Sequence, residues 1–120
     1  MDSPKLIRGQ EAWRERLVKE IRTAERAREL LTELERRLKE GDRSDLEEHL
    51  GRLDQLAGSL PEADTVRLLV DSAVKAATTR GAGYAGSAAS RSRSKTEGIL
   101  STLRGSLSRL DAFASMDANA

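Results

Sequence analysis

Between Gln10 and Glu40 the chain has neither glycine nor proline, and its apolar residues recur at helical intervals. Trp13, Leu17, Ile21, Ala24, Ala27, Leu31, Leu34 and Leu38 are separated by steps of four, four, three, three, four, three and four. That alternation draws one apolar stripe along an α-helix, the seam of a helix packed on another helix. Most of what lies between is Arg, Lys or Glu. Glu15–Lys19, Glu33–Arg37 and Glu35–Lys39 stand four apart with the acid first, the order that adds roughly 0.2–0.5 kcal/mol per exposed pair. At about 1.5 Å per residue the stretch is a rod roughly 45 Å long. A rod with one narrow stripe is not stable alone, so the rest of the chain, or a second chain, has to cover it.

The composition points the same way. Aromatics are limited to Trp13, Tyr84 and Phe113, and Val and Ile are few and never alternate at period two, which removes the usual material of a β-sandwich. A charged fraction of 34% against 38% apolar suits thin helix–helix seams better than a thick core. There is no cysteine, so disulfides, thiol nucleophiles and thiolate zinc sites are excluded. Only Leu6-Ile7 follows Met1–Lys5 before Arg8, and no apolar run is longer than three residues, as in Leu68-Leu69-Val70, far short of the ~20 residues of a membrane span. The expectation is a cytoplasmic protein with no transmembrane segment. The formal charge of +1 divides into +2 over residues 1–40, −4 over 41–79 and +3 over 80–120, too weak an imbalance to announce a nucleic-acid protein.

Along the chain, Ser3-Pro4 can open a first turn, and Gly9 is expected to weaken its join to the long helix. Gly41 suits a helix C-terminus. Ser44-x-x-Glu47 has the form of a capping box ahead of Leu46, Leu50, Leu53, Ala57 and Leu60, and the short link implies an antiparallel hairpin. Pro61, Glu62 and Asp64 suit the start of a third helix, whose apolar face is Val66, Leu69, Val70, Ala73, Val74 and Ala77. Residues 81–94, rich in Gly, Ser and Arg, read as a connection by composition. They also read as a continuation of the third helix, with Gly81, Ala85 and Ala89 on one face. Ser94-x-x-Glu97 resembles a second capping box before Leu100, Leu103, Leu107 and Leu110. The other side of this last helix carries Gly98, Ser101, Gly105, Ser108 and Ala112, and interior glycines cost about 1 kcal/mol each against Ala. That expense makes sense where another helix lies close.

Little in the sequence carries chemistry. Gly81-Ala82-Gly83-Tyr84-Ala85-Gly86 fits G-x-G-x-x-G, but the preceding residues read as helix and no strand is expected, so a turn or packing face is the reading. His49 is the only histidine and lies one place off the second seam, where a surface position is expected. No catalytic carboxylate pair, nucleophile motif or metal-ligand spacing stands out, so no catalytic residue, metal or cofactor is expected. A membrane-surface role is disfavoured because the first helix balances its bases with Glu.

The fold class expected is all-α, an antiparallel bundle of about four helices with coiled-coil-like heptad packing, near 10–40, 45–58, 62–80 and 95–116 in a single domain. A second helix of this length cannot cover the first. That surplus, with the small-residue face of the fourth helix, suggests a non-enzymatic protein–protein interaction module: an adaptor, chaperone or assembly subunit docking helices of its own kind or of another chain. Leu100, Leu103, Leu107 and Leu110 are the expected anchors, with Gly98 and Gly105 permitting close approach and Leu31, Leu34 and Leu38 as a second patch; each leucine also fits plain core. The alternative is a small nucleic-acid-binding protein holding phosphate with Arg80, Arg91, Arg93 and Lys95.

Overall fold

The computed structural model describes residues 4–119. It contains four helices and, among the described residues, no strand. These are α1 (Pro4–Glu40), α2 (Leu46–Gly58), α3 (Thr65–Thr79) and α4 (Ala82–Asn119). They pack as a bundle that is long and thin, 61 × 22 × 21 Å. None of the described helices is long and apolar enough to cross a membrane.

The apolar stripe of α1 is buried from Leu17 through Ile21, Ala24, Ala27, Leu31 and Leu34, and Leu30 joins it. The extra residue widens the stripe because α1 meets three other helices rather than one. Gly9 does not interrupt α1, which begins at Pro4. At the other end Gly41 takes φ +68°, and the Asp42 N–H reaches back to the Arg37 carbonyl at 2.9 Å. That closes the helix in the left-handed manner glycine permits.

The expected capping box at Ser44 does not form. Ser44 gives both its N–H and its hydroxyl to the Asp42 carboxylate, and the carboxyl is held below its ordinary range by those two donors. Asp45 becomes the N-cap, at φ 56° and without a side-chain cap bond. An acid two residues upstream has outcompeted the helix N-terminus for the serine. At the next turn Pro61 stays outside the helix. Asp64 caps α3 instead, accepting the Val66 N–H at 2.8 Å, the interaction expected of an aspartate N-cap.

Residues 82–94 are the first third of α4, not a connection, and they do not continue α3, which stops at Thr79 before the extended Arg80. Glycine and serine give this segment poor intrinsic helicity, but its small side chains are what the packing requires. Ala85, Ala88 and Ala89 are buried, and a Cβ on Gly86 would already touch Leu38 and Lys39 at 3.9 Å. The Ser92 hydroxyl donates to the Leu69 carbonyl at 3.0 Å, and the fully buried Thr96 hydroxyl donates to the Ser92 carbonyl at 2.7 Å. The second capping box therefore falls inside a helix, where Glu97 accepts from Arg93.

The core is centred on Leu31, Leu34, Leu53, Val70 and Leu100. Among the described residues three ion pairs join α1 to α4: Arg14 with Asp111 at 2.9 Å, Glu25 with Arg104 at 2.7 Å, and Glu35 with Arg93 at 2.9 Å. The α2–α3 turn reaches α1 near Arg16–Thr23, where it shares a cleft with Ile99 and Leu103 of α4. The groove next to Trp13 is lined by α1 and α4 alone, so these two helices extend past the four-helix body as a two-helix arm.

Candidate functional site

Two of the chain's three aromatic rings meet on this arm. Trp13 and Phe113 are 51% and 54% exposed, and with Gln10, Ser106, Arg109 and Leu110 they line one open groove of about 360 Å³. Leu110, buried, forms its floor. The Arg14–Asp111 ion pair stands beside it, since Trp13 precedes Arg14 and Phe113 lies two residues after Asp111. The bonded carboxylate holds the Arg14 guanidinium more firmly protonated than usual. Both rings are left half in water at neighbouring positions. Trp13 was expected inside the seam. It is exposed because α2 and α3 do not reach that far along α1, and a stripe read from one helix cannot say where its cover ends.

The leucines expected to anchor a partner lie inside this chain. Leu31, Leu34 and Leu100 are fully buried and Leu110 nearly so, while Leu38, Leu103 and Leu107 pack half-buried against the same core. The fully buried leucines present no surface to a partner, whereas Leu38, Leu103 and Leu107 keep part of theirs exposed. The small-residue face of α4 is different. A Cβ at Gly98 would meet nothing within 4 Å, and one at Gly105 only the Arg109 guanidinium at 3.6 Å. Among the described residues no helix lies on that face at Gly98 or Gly105.

The basic segment divides in two. Arg93 turns inward, bonded to the buried Glu35 and to Glu97, so it leaves the expected phosphate-binding set. The Arg93 guanidinium, with Lys39, keeps the Glu35 carboxyl below its ordinary range. Arg80, Arg91 and Lys95 stay exposed. The Arg80 and Arg91 guanidinium carbons lie 5.1 and 5.9 Å from the centroid of the Tyr84 ring. The glycine-rich run has Gly81 between α3 and α4 and the rest in the first turns of α4, so it is preceded by a helix rather than a strand.

His49 is buried, not on the surface. Its Nε2 stands 2.8 Å from the Leu30 carbonyl oxygen, so Nε2 carries the hydrogen and donates. Packing of α2 against both α1 and α3 widens its buried arc beyond the leucine seam and takes in this flank position. The only sequence sign of it was its place one residue from that seam.

No family model matches the chain, and no curated protein and no solved structure is significantly similar to it.

Proposed function

We propose that this chain is a non-enzymatic protein–protein interaction module, an adaptor, chaperone or assembly subunit, that docks a helical partner on its two-helix arm. The observation that carries the reading is the exposure of Trp13 and Phe113 on one groove over the buried Leu110. Trp and other aromatics dominate the energetic centres of protein interfaces. The open face of α4 at Gly98 and Gly105 supports it, because a partner helix can approach closely there with only the Arg109 side chain to move aside. In this reading α1 and α4 run antiparallel with coiled-coil-like heptad packing. The order of their ion pairs supports that: residues 14, 25 and 35 of α1 pair with 111, 104 and 93 of α4. So does the three–four spacing of Leu100, Leu103, Leu107 and Leu110. The partner is another copy or a second protein.

Trp13 is the only tryptophan, so its fluorescence reports directly on this surface. Molar mass by light scattering and Trp emission are followed together, over a concentration series and with candidate partners. Association is expected to move the emission to shorter wavelength as water leaves the ring. The double substitution Trp13→Ala, Phe113→Ala is expected to weaken association by about 2–4 kcal/mol with helical content unchanged. Complexes that form as tightly with this variant as with the parent chain would remove the arm from the docking surface.

A further inference from the structure

The exposed bases at the beginning of α4 form a second surface, independent of the arm. In sequence no acid occurs between Asp71 and Glu97. In the fold the two bounding acids are engaged elsewhere, Asp71 by Arg67 and Glu97 by Arg93. Among the described residues Arg80, Arg91 and Lys95 have no carboxylate partner, as is also true of scattered bases such as Arg16, Arg22, Arg28 and Arg43; what sets Arg80 and Arg91 apart is that both lie against one aromatic ring. At the centre is Tyr84, 52% exposed. Both guanidiniums lie within about 6 Å of its ring, the range of a cation–π contact, which places them no more than about 11 Å from each other. Exposed Ser87 and Ser94 add hydroxyls on the same helix.

We propose that Arg80 and Arg91, arranged around Tyr84, and Lys95, further along the same helix, bind the backbone of single-stranded nucleic acid, with a base stacked on the Tyr–Arg platform. Each part of the patch suits one part of that ligand. The ring orients two planar forks, and a fork held in place loses less freedom when it takes a phosphate oxygen pair. Bases stack on guanidinium planes as well as on aromatic rings. From Tyr84 to Lys95 the helix rises about 17 Å, room for a short run of nucleotides. An acidic protein helix would be held by the charges but would have no use for an aromatic platform flanked by two forks.

The test is binding of a labelled oligothymidylate about 15 nucleotides long, within the usual site sizes, titrated with salt, beside labelled polyglutamate as an acidic polypeptide. With three phosphate contacts the slope of log K against log salt is expected near −2. Arg91→Gln should make that slope shallower by about 0.7. Tyr84→Ala should weaken binding about 5-fold to 100-fold, while Tyr84→Phe, which keeps the ring, should leave it within a factor of about 2. All these positions are exposed, and unchanged far-ultraviolet circular dichroism verifies that the variants fold. Absence of binding at about 50 mM salt, oligonucleotide binding unaffected by Arg80→Gln, Arg91→Gln and Lys95→Gln together, or equal affinity for polyglutamate would each overturn the proposal. The last would make the patch a dock for acidic protein.

Discussion

Glu35 is a buried carboxylate that touches two bases, Arg93 of α4 at 2.9 Å and Lys39 one turn along its own helix at 3.0 Å. Its partners hold the folded carboxyl below its ordinary range, so the group is more acidic folded than unfolded. Such a group stabilises the fold fully above its unfolded value and loses that contribution as pH falls through its folded value. Glu35→Gln is therefore expected to destabilise by about 1–3 kcal/mol near neutral pH, by loss of a partner for a half-buried guanidinium. The gap between parent and variant should stay constant down to about pH 5 and close below about pH 4; urea unfolding at several pH values measures both. His49 offers a second probe. Its ring fills space between α2 and α1 and donates to the Leu30 carbonyl, so His49→Ala should cost about 2–3 kcal/mol from cavity and bond together. Neither role was legible beforehand. The acids of α1 all look alike in sequence, and only the register of α4 decides that Glu35, not Glu33 or Glu29, meets an arginine in the interior.

At the scale of elements, the glycines of α4 fall into two kinds that composition cannot separate. Gly86 meets Leu38 and Lys39 across a helix crossing, while Gly98 faces open space. Gly98→Ala should stabilise the free chain by up to about 1 kcal/mol, through helix propensity alone. Gly86→Leu should destabilise by about 1–3 kcal/mol, by forcing a crowded contact apart. Thermal or denaturant unfolding of the two variants tests the contrast. Periodicity made the four-helix count and the inner faces of α1 to α3 readable, because leucine and alanine spacing is local information. It failed over residues 82–94. There the helix rests on tertiary contacts, Ser92 to Leu69 and the alanines against their neighbours, and a small-residue helix and a flexible connection share one composition. The caps were poorly legible for a similar reason: Pro61 and Asp64 both suit a helix start, and only the fold makes Asp64 the cap and leaves Pro61 outside, while Ser44 is claimed by Asp42.

Across the whole molecule, the four-helix body and the arm differ in how much covers them. Amides from Ala24 to Leu34 lie on the stripe that packs against the core, with side chains buried along its length. Those near Trp13 and Phe113 belong to a helix pair with exposed rings. Hydrogen exchange should thus be slowest in the first group and faster by at least about an order of magnitude in the second; uniform protection along α1 would mean that the arm is as well held as the body. The arm was legible in the sequence only as a surplus of helix over cover, and its aromatic groove was not, since it depends on which residue of α4 stands opposite Trp13. The three bridges between α1 and α4 also set an order of events. They span 58, 79 and 97 residues of chain from the core outward, and closing a loop costs more the longer it is. Once the short helices have drawn Glu35 and Arg93 together, the outer bridges have only 21 and then 18 further residues of chain to close, which favours closure of the pair toward Trp13. Closure in that order would make the aromatic groove the last part of the α1–α4 pair to form and the first to open, and the proposed partner, seated there, would hold shut the end from which the pair frays.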